Sequence, residues 1–141
     1  MEYKRFGHEI ALRVARGEEL IESLRSVCEK ENIRLATVSG LGAAGVVEMG
    51  LYNVENKEYH SHTFTGEFEI AQVTGNVTTM DGEVYIHLHA TIGDEKLRAW
   101  AGHLNKAVIS ATAELFIHIL EGETNRTRND ETGLNLLHFL D

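Results

Sequence analysis

His87-Leu88-His89 and the later His103 have the residue types and spacing to do chemistry. Side chains on a strand alternate with a period of two, so histidines at i and i+2 project from one face. The run from Val84 to Ile92 alternates in that way. Val84, Ile86, Leu88 and Ala90 make an apolar face, and Tyr85, His87, His89 and Thr91 make the other. Gly93-Asp94-Glu95-Lys96 offers a turn, after which a second strand can return through Leu97, Ala99, Ala101 and His103. A third imidazole would then arrive beside the first two. Three neutral imidazoles suit a borderline-soft divalent ion such as zinc and leave a coordination position open. Spacing alone leaves a plainer alternative, two half-buried strand histidines and an unrelated third.

Other residues bear on the chemistry. His60-Ser61-His62 is a second His-x-His pair, without a third ligand nearby in sequence. Glu114 lies inside an apolar run, where an ionised carboxylate needs a partner. It is the candidate catalytic residue, as a base or as a support for a ligand histidine, unless it pairs with an arginine. Arg126 and Arg128 lie in a polar stretch and offer anion or substrate binding, with ordinary surface charge as the alternative. Gly40-Leu41-Gly42-Ala43-Ala44-Gly45 has the glycine pattern of a dinucleotide-binding loop. That motif requires a helix next, whereas Val46 to Tyr52 is strand material. The glycines fit better in a tight turn between strands, with close backbone packing.

The elements that must position these groups are mostly strands. Tyr3–Phe6 and Glu9–Val14 form a hairpin across Gly7-His8. After Gly17, Leu20, Ile21, Leu24, Val27 and Cys28 recur at helical spacing. Leu35–Gly40, Val46–Asn53, Glu58–Phe64 and Phe68–Thr78 read as strands, the last ending at an Asp81-Gly82 hairpin turn. Val108–Leu120 alternates at Leu115, Ile117 and Ile119 and favours strand over helix. Glu121–Gly133 reads as a polar loop, and Leu134–Leu140 as a final apolar segment. One helix among hairpin-connected strands predicts an α+β fold with a mostly antiparallel sheet, in one domain spanning residues 1–141.

Composition narrows the partners. Thirteen Lys and Arg against 22 Asp and Glu give a formal net charge of −9, which repels a phosphate backbone. No basic cluster is visible along the chain. The single cysteine, Cys28, excludes an intrachain disulfide and an all-cysteine zinc site. No apolar stretch reaches the length of a membrane span, and the N-terminus lacks the apolar run of a signal peptide, so a cytoplasmic protein is expected.

With these pieces in order, the chain resembles the PPC domain, the plants-and-prokaryotes-conserved domain, in its stand-alone prokaryotic form. The resemblance covers nearly the whole chain. It runs through Leu12-Arg13-Val14, Gly17-Glu18-Glu19-Leu20, Val38-Ser39-Gly40-Leu41-Gly42, Gly66-Glu67-Phe68-Glu69-Ile70 and Gly75-Asn76. It continues through His87-Leu88-His89-Ala90, Gly102-His103-Leu104 and Thr132-Gly133-Leu134. The resemblance implies an α+β domain with an antiparallel sheet, assembled as a homotrimer and similar in fold to acetolactate decarboxylase, whose zinc is held by three histidines. It maps the histidine motif onto His87, His89 and His103, and Ala101 stands where the family usually has glycine. It thus implies a divalent metal, zinc-like, with a small-molecule site and, if there is turnover, a lyase or hydrolase. The alternative it implies is a DNA-binding or transcription-associated regulatory or assembly module. Plant relatives bind AT-rich DNA through a hook outside this domain, and this proline-free chain has no such hook.

Overall fold

The computed structural model describes residues 1–139. Its elements, in chain order, are β1 (Glu2–Phe6), β2 (Glu9–Ala15), α1 (Leu20–Lys30), β3 (Ala36–Asn53), β4 (Glu58–Met80), β5 (Glu83–Gly93), β6 (Ala99–Ile119), β7 (Asn125–Asn129) and β8 (Leu134–His138). The fold is a mostly antiparallel β-sheet with one helix among the described residues. The first six strands form one sheet in the order β1-β2-β6-β3-β4-β5, and β7 pairs with β8 alone.

The six-stranded sheet curls far enough to meet itself. β6 lies against β3 from Gly50↔His103 to Ala36↔Ile119, and its first residues also pair with β5 from Gly93↔Ala99 to His89↔His103. Strands β3, β4, β5 and β6 therefore close a ring. Extra residues bend a strand and increase its twist. The bends here fall at register shifts between Gly40 and Gly42, Ala44 and Val46, and Glu48 and Met49 on β3.

Three pairs of strands expected from the sequence are single long ones, β3, β4 and β6. The glycines from Gly40 to Gly45 make no turn, because β3 continues through them as a bulged strand. They permit close approach instead: a Cβ on Gly40 would fall 2.4 Å from the Glu114 carbonyl oxygen, and one on Gly42 would fall 2.5 Å from that of Thr112. The strand that follows, in place of a helix, removes the dinucleotide reading. Thr65-Gly66-Glu67 likewise bulges within β4 without ending it. Leu97 belongs to the turn before β6, at φ 58°, and takes no part in the returning strand. The polar stretch after Glu121 contains β7, which pairs with β8, so it is half of a hairpin. Leu140, the end of the expected apolar segment, lies outside the described residues.

The core sits between one sheet face and α1. Ile10, Leu12 and Val14 of β2, Leu88, Ala90 and Ile92 of β5, and Ala113, Leu115 and Ile117 of β6 point there, each buried. The helix buries Leu20, Leu24, Val27 and Cys28 against them. Glu19 caps it, accepting from the Glu22 N–H at 2.8 Å with one oxygen and from the Ala107 N–H at 2.8 Å with the other. One side chain thus satisfies a free helix donor and ties the helix to β6. Burial pushes the Cys28 thiol up to about 12, which marks it as packing. Among the described residues, no helix is long and apolar enough to cross a membrane.

Candidate metal centre and cleft

The face opposite the core carries the chemistry. On β5 the alternation that buries Leu88 and Ala90 turns Tyr85, His87 and His89 to this side. Across the ladder, Asn76 of β4 stands opposite His87 and Thr78 opposite Tyr85. The closure of the sheet then sets His103 of β6 directly opposite His89. Two close backbone approaches allow this. A Cβ on Gly102 would lie 2.7 Å from the Gly50 carbonyl oxygen, and one on Gly75 would lie 1.9 Å from that of His87.

The three imidazoles converge. Ring centroids of His87 and His89 are 5.2 Å apart, those of His87 and His103 5.2 Å, and those of His89 and His103 5.6 Å. One nitrogen from each ring lies within 4.8 Å of the other two. Side-chain rotation can close that separation to the ~3.4 Å expected between tetrahedral ligands with 2.0–2.1 Å bonds. Burial lowers the His87 pKa to about 4, helped by His103, Arg126 and His89. His103 is also held below the usual histidine range, first by burial and then by His89. Both are neutral at pH 7 and able to donate a lone pair, so the donor set fits a metal ion. Among the described residues this is the one cluster of histidine, cysteine or carboxylate groups so arranged.

The triad lies in a cleft of about 1030 Å³ between the sheet and the β7–β8 hairpin. Leu51, Tyr52, Tyr59, Leu134, Leu136 and Leu137 supply its apolar and aromatic walls. The hairpin is pinned at several points. Tyr52 Oη donates to the Thr132 carbonyl at 2.9 Å, and Lys57 Nζ donates to the Asp130 carbonyl at 2.6 Å. The Thr79 N–H donates to the Thr124 carbonyl at 3.1 Å. Tyr59 stands beside His103 with ring centroids 6.0 Å apart, and its hydroxyl bonds to the Asn105 side chain.

Arg126 and Arg128, paired in the sequence reading, part company here. Arg126 is only 6% exposed and lines the cleft. Its Nε donates to Thr78 Oγ1 at 2.9 Å, Nη1 to the Asn135 carbonyl at 2.9 Å and Nη2 to Asn76 Oδ1 at 2.8 Å. Its guanidinium carbon lies 4.7 Å from the centroid of the Tyr85 ring. Arg128 is exposed and does not line the cleft.

Glu114 is also apart from the triad. It is exposed on β6 opposite Arg13 and Leu41, and it lines a separate depression beside Glu2 and Lys4. The alternation that buries Ala113 and Leu115 turns it to solvent, so its carboxylate needs no buried partner. His60 and His62 are exposed on β4; His60 lies 3.8 Å from Glu58, and His62 packs on Phe64 with ring centroids 4.5 Å apart. The sequence reading gave no role in the site to Asn76, Tyr85 or Asn135. Tyr85 was within reach, since it shares the alternating face of His87 and His89; the other two depend on pairings that no local pattern shows.

Residues 1–121 match the family profile of the Plants and Prokaryotes Conserved (PCC, or PPC) domain, and the chain belongs to that family. Solved structures agree. A protein of Bacteroides thetaiotaomicron provisionally described as DNA-binding superimposes with a TM-score of 0.95 at 31% identity, over 98% of this chain and 96% of that one. A metal-containing protein of Archaeoglobus fulgidus gives 0.89 at 29% identity, over 98% and 97%. A PPC protein of Pyrococcus horikoshii gives 0.86 at 28%, over 99% and 95%. Acetolactate decarboxylase of Bacillus subtilis is more distant, at 0.57 and 15% identity over 86% of this chain and 57% of that one, and shares the fold alone. No curated protein matches the chain.

Proposed function

We propose that this chain is a single-domain, homotrimeric, cytoplasmic metal-binding protein that holds a zinc-like divalent ion on His87, His89 and His103 and takes a small molecule in the adjoining cleft. The observation that carries the reading is the convergence of three imidazole nitrogens within 4.8 Å at a cleft of about 1030 Å³. The metal-containing relative from Archaeoglobus fulgidus supports it. The trimer rests on the family resemblance. A divalent ion with an open position polarises a carbonyl or lowers the pKa of bound water to about 7, which suits a lyase or hydrolase. The protein's own groups would position substrate: Tyr59 and Asn105 beside His103, and Asn76 and Arg126 beside His87.

The test is calorimetric titration of the whole protein with zinc at neutral pH, with magnesium as the hard-cation control. One zinc per chain, with magnesium at least a hundredfold weaker, is expected from an all-imidazole donor set. Failure to bind zinc, or undiminished stoichiometry after His87→Ala, would refute the reading. The second reading, association with DNA, draws on the relative from Bacteroides thetaiotaomicron provisionally described as DNA-binding.

A further inference from the structure

We infer that the cleft binds a small organic carboxylate, its anionic end on Arg126 and its body lying toward the histidines. This names a ligand class for the site proposed above. The reasoning is a charge count. Arg126 is almost completely buried, and no ion pair joins it to a carboxylate among the described residues. Its three protein acceptors are a hydroxyl, a carbonyl and an amide, all neutral. A guanidinium has five N–H donors, so two are left for a ligand. The described residues lining the cleft include no aspartate or glutamate. In a chain with 22 acidic residues and a net charge of −9, that makes this cleft, among the described residues, the place where a buried positive charge is unanswered.

A divalent ion would sharpen the imbalance. Three neutral imidazoles cancel none of its charge, so ion and guanidinium together would present three positive charges and no protein anion. A buried charge without a partner is costly, and an anionic ligand relieves that cost.

Geometry sets the ligand's size and form. Arg126 stacks on Tyr85 and bonds to Asn76; Tyr85 is two residues before His87 on β5, and Asn76 is opposite His87. Two residues along a strand span about 7 Å. The distance from guanidinium to triad therefore suits a molecule of a few carbons, with a carboxylate for bidentate bonds to arginine. Leu51, Tyr52, Leu134, Leu136 and Leu137 suit an apolar body and give a second charge no partner.

The cleanest perturbation is Asn76→Asp. Asn76 Oδ1 already lies 2.8 Å from Arg126 Nη2, so an isosteric carboxylate keeps the hydrogen bond and the packing while supplying the missing charge internally. Ligand-observed NMR on the whole protein, metal-free and zinc-loaded, would compare isobutyrate with the uncharged isobutyramide. Metal-free wild type should bind isobutyrate in the millimolar range and the amide at least tenfold more weakly. Asn76→Asp should weaken isobutyrate at least tenfold with the thermal transition retained, and Arg126→Gln should abolish the preference for the acid. Equal binding of acid and amide, or full isobutyrate affinity in Asn76→Asp, would overturn the inference. Zinc titration in parallel separates the two readings. Loss of zinc binding sinks the metal centre and leaves the metal-free comparison to decide the carboxylate site.

Discussion

At the scale of single residues, the centre depends on which face each side chain takes. His87 and His89 share a face by alternation alone, so their pairing was legible from spacing. His103 was legible only because the Gly93–Lys96 turn and the strand after it could be read as well. Glu114 misled because an acidic residue in an apolar run looks buried, whereas strict alternation across Ala113, Glu114 and Leu115 turns it outward. Changing His87, His89 or His103 to alanine should lower zinc affinity about a hundredfold or more, since loss of supporting groups alone costs 10–100-fold. Thermal unfolding of the metal-free protein should change little, because the triad lies outside the apolar core. His60→Ala and Glu114→Gln should leave zinc affinity within about twofold of wild type. Calorimetry on the five variants checks the set; a loss at His60 equal to that at His87 would assign the site to the wrong His-x-His pair.

Elements hold those residues in register, and two of them can be tested. Gly75 opposes Leu88, and a Cβ there would lie 1.9 Å from the His87 carbonyl oxygen, inside any tolerable contact. Gly75→Ala should therefore destabilise the fold by about 1–3 kcal/mol or more. It should also weaken zinc binding, because the strand that yields carries His87; denaturant melts and calorimetry on one preparation check both. Asp94 organises the turn that returns β6 to β5. Its carboxylate accepts from the Lys96 and Arg98 N–H groups at 2.9 and 3.0 Å and from Arg98 Nε at 2.8 Å. The Arg98 side chain foremost, with these backbone donors, holds its pKa down to about 2. A depressed carboxylate stabilises the folded state above its unfolded pKa near 4 and loses that contribution as pH falls through about 2. Asp94→Asn should thus be less stable than wild type at pH 5, with the gap closing toward pH 2; a gap constant with pH would mean that the charge is immaterial. The same elements show where sequence reading ran out. The helix, the N-terminal hairpin and the Asp81-Gly82 turn have local signals and stand where expected. Gly40–Gly45 and Gly66 have the chemistry of breaks, yet pairing along β3, β4 and β6 carries the strands through them as bulges. The Arg126 hairpin escaped notice because β7 is polar and is held by the Thr78 and Asn76 side chains, a tertiary cause with no periodic trace.

For the molecule as a whole, surface and charge decide the partners. Leu41 and Phe116 on the neighbouring strands β3 and β6 are 55% and 56% exposed, and Trp100 is 44% exposed. The trimer that the family resemblance implies would offer such side chains a partner surface. Light scattering should give about three times the 15.8 kDa chain mass, and a monomer at micromolar concentration would exclude it. A trimer of chains at −9 each carries −27 before any histidine is protonated. Nonspecific affinity for duplex DNA comes from neutralising phosphates with clustered lysine and arginine. Here the most buried arginine faces the histidine cleft, and Arg5, Arg13, Arg34 and Arg98 are already paired with carboxylates. Binding to a duplex at physiological salt should accordingly be weaker than micromolar. Fluorescence anisotropy of a labelled AT-rich duplex, titrated at several salt concentrations, reads this directly. Submicromolar affinity that falls steeply with salt would require a basic surface created by assembly, and would move DNA association ahead of small-molecule binding as the reading of this protein.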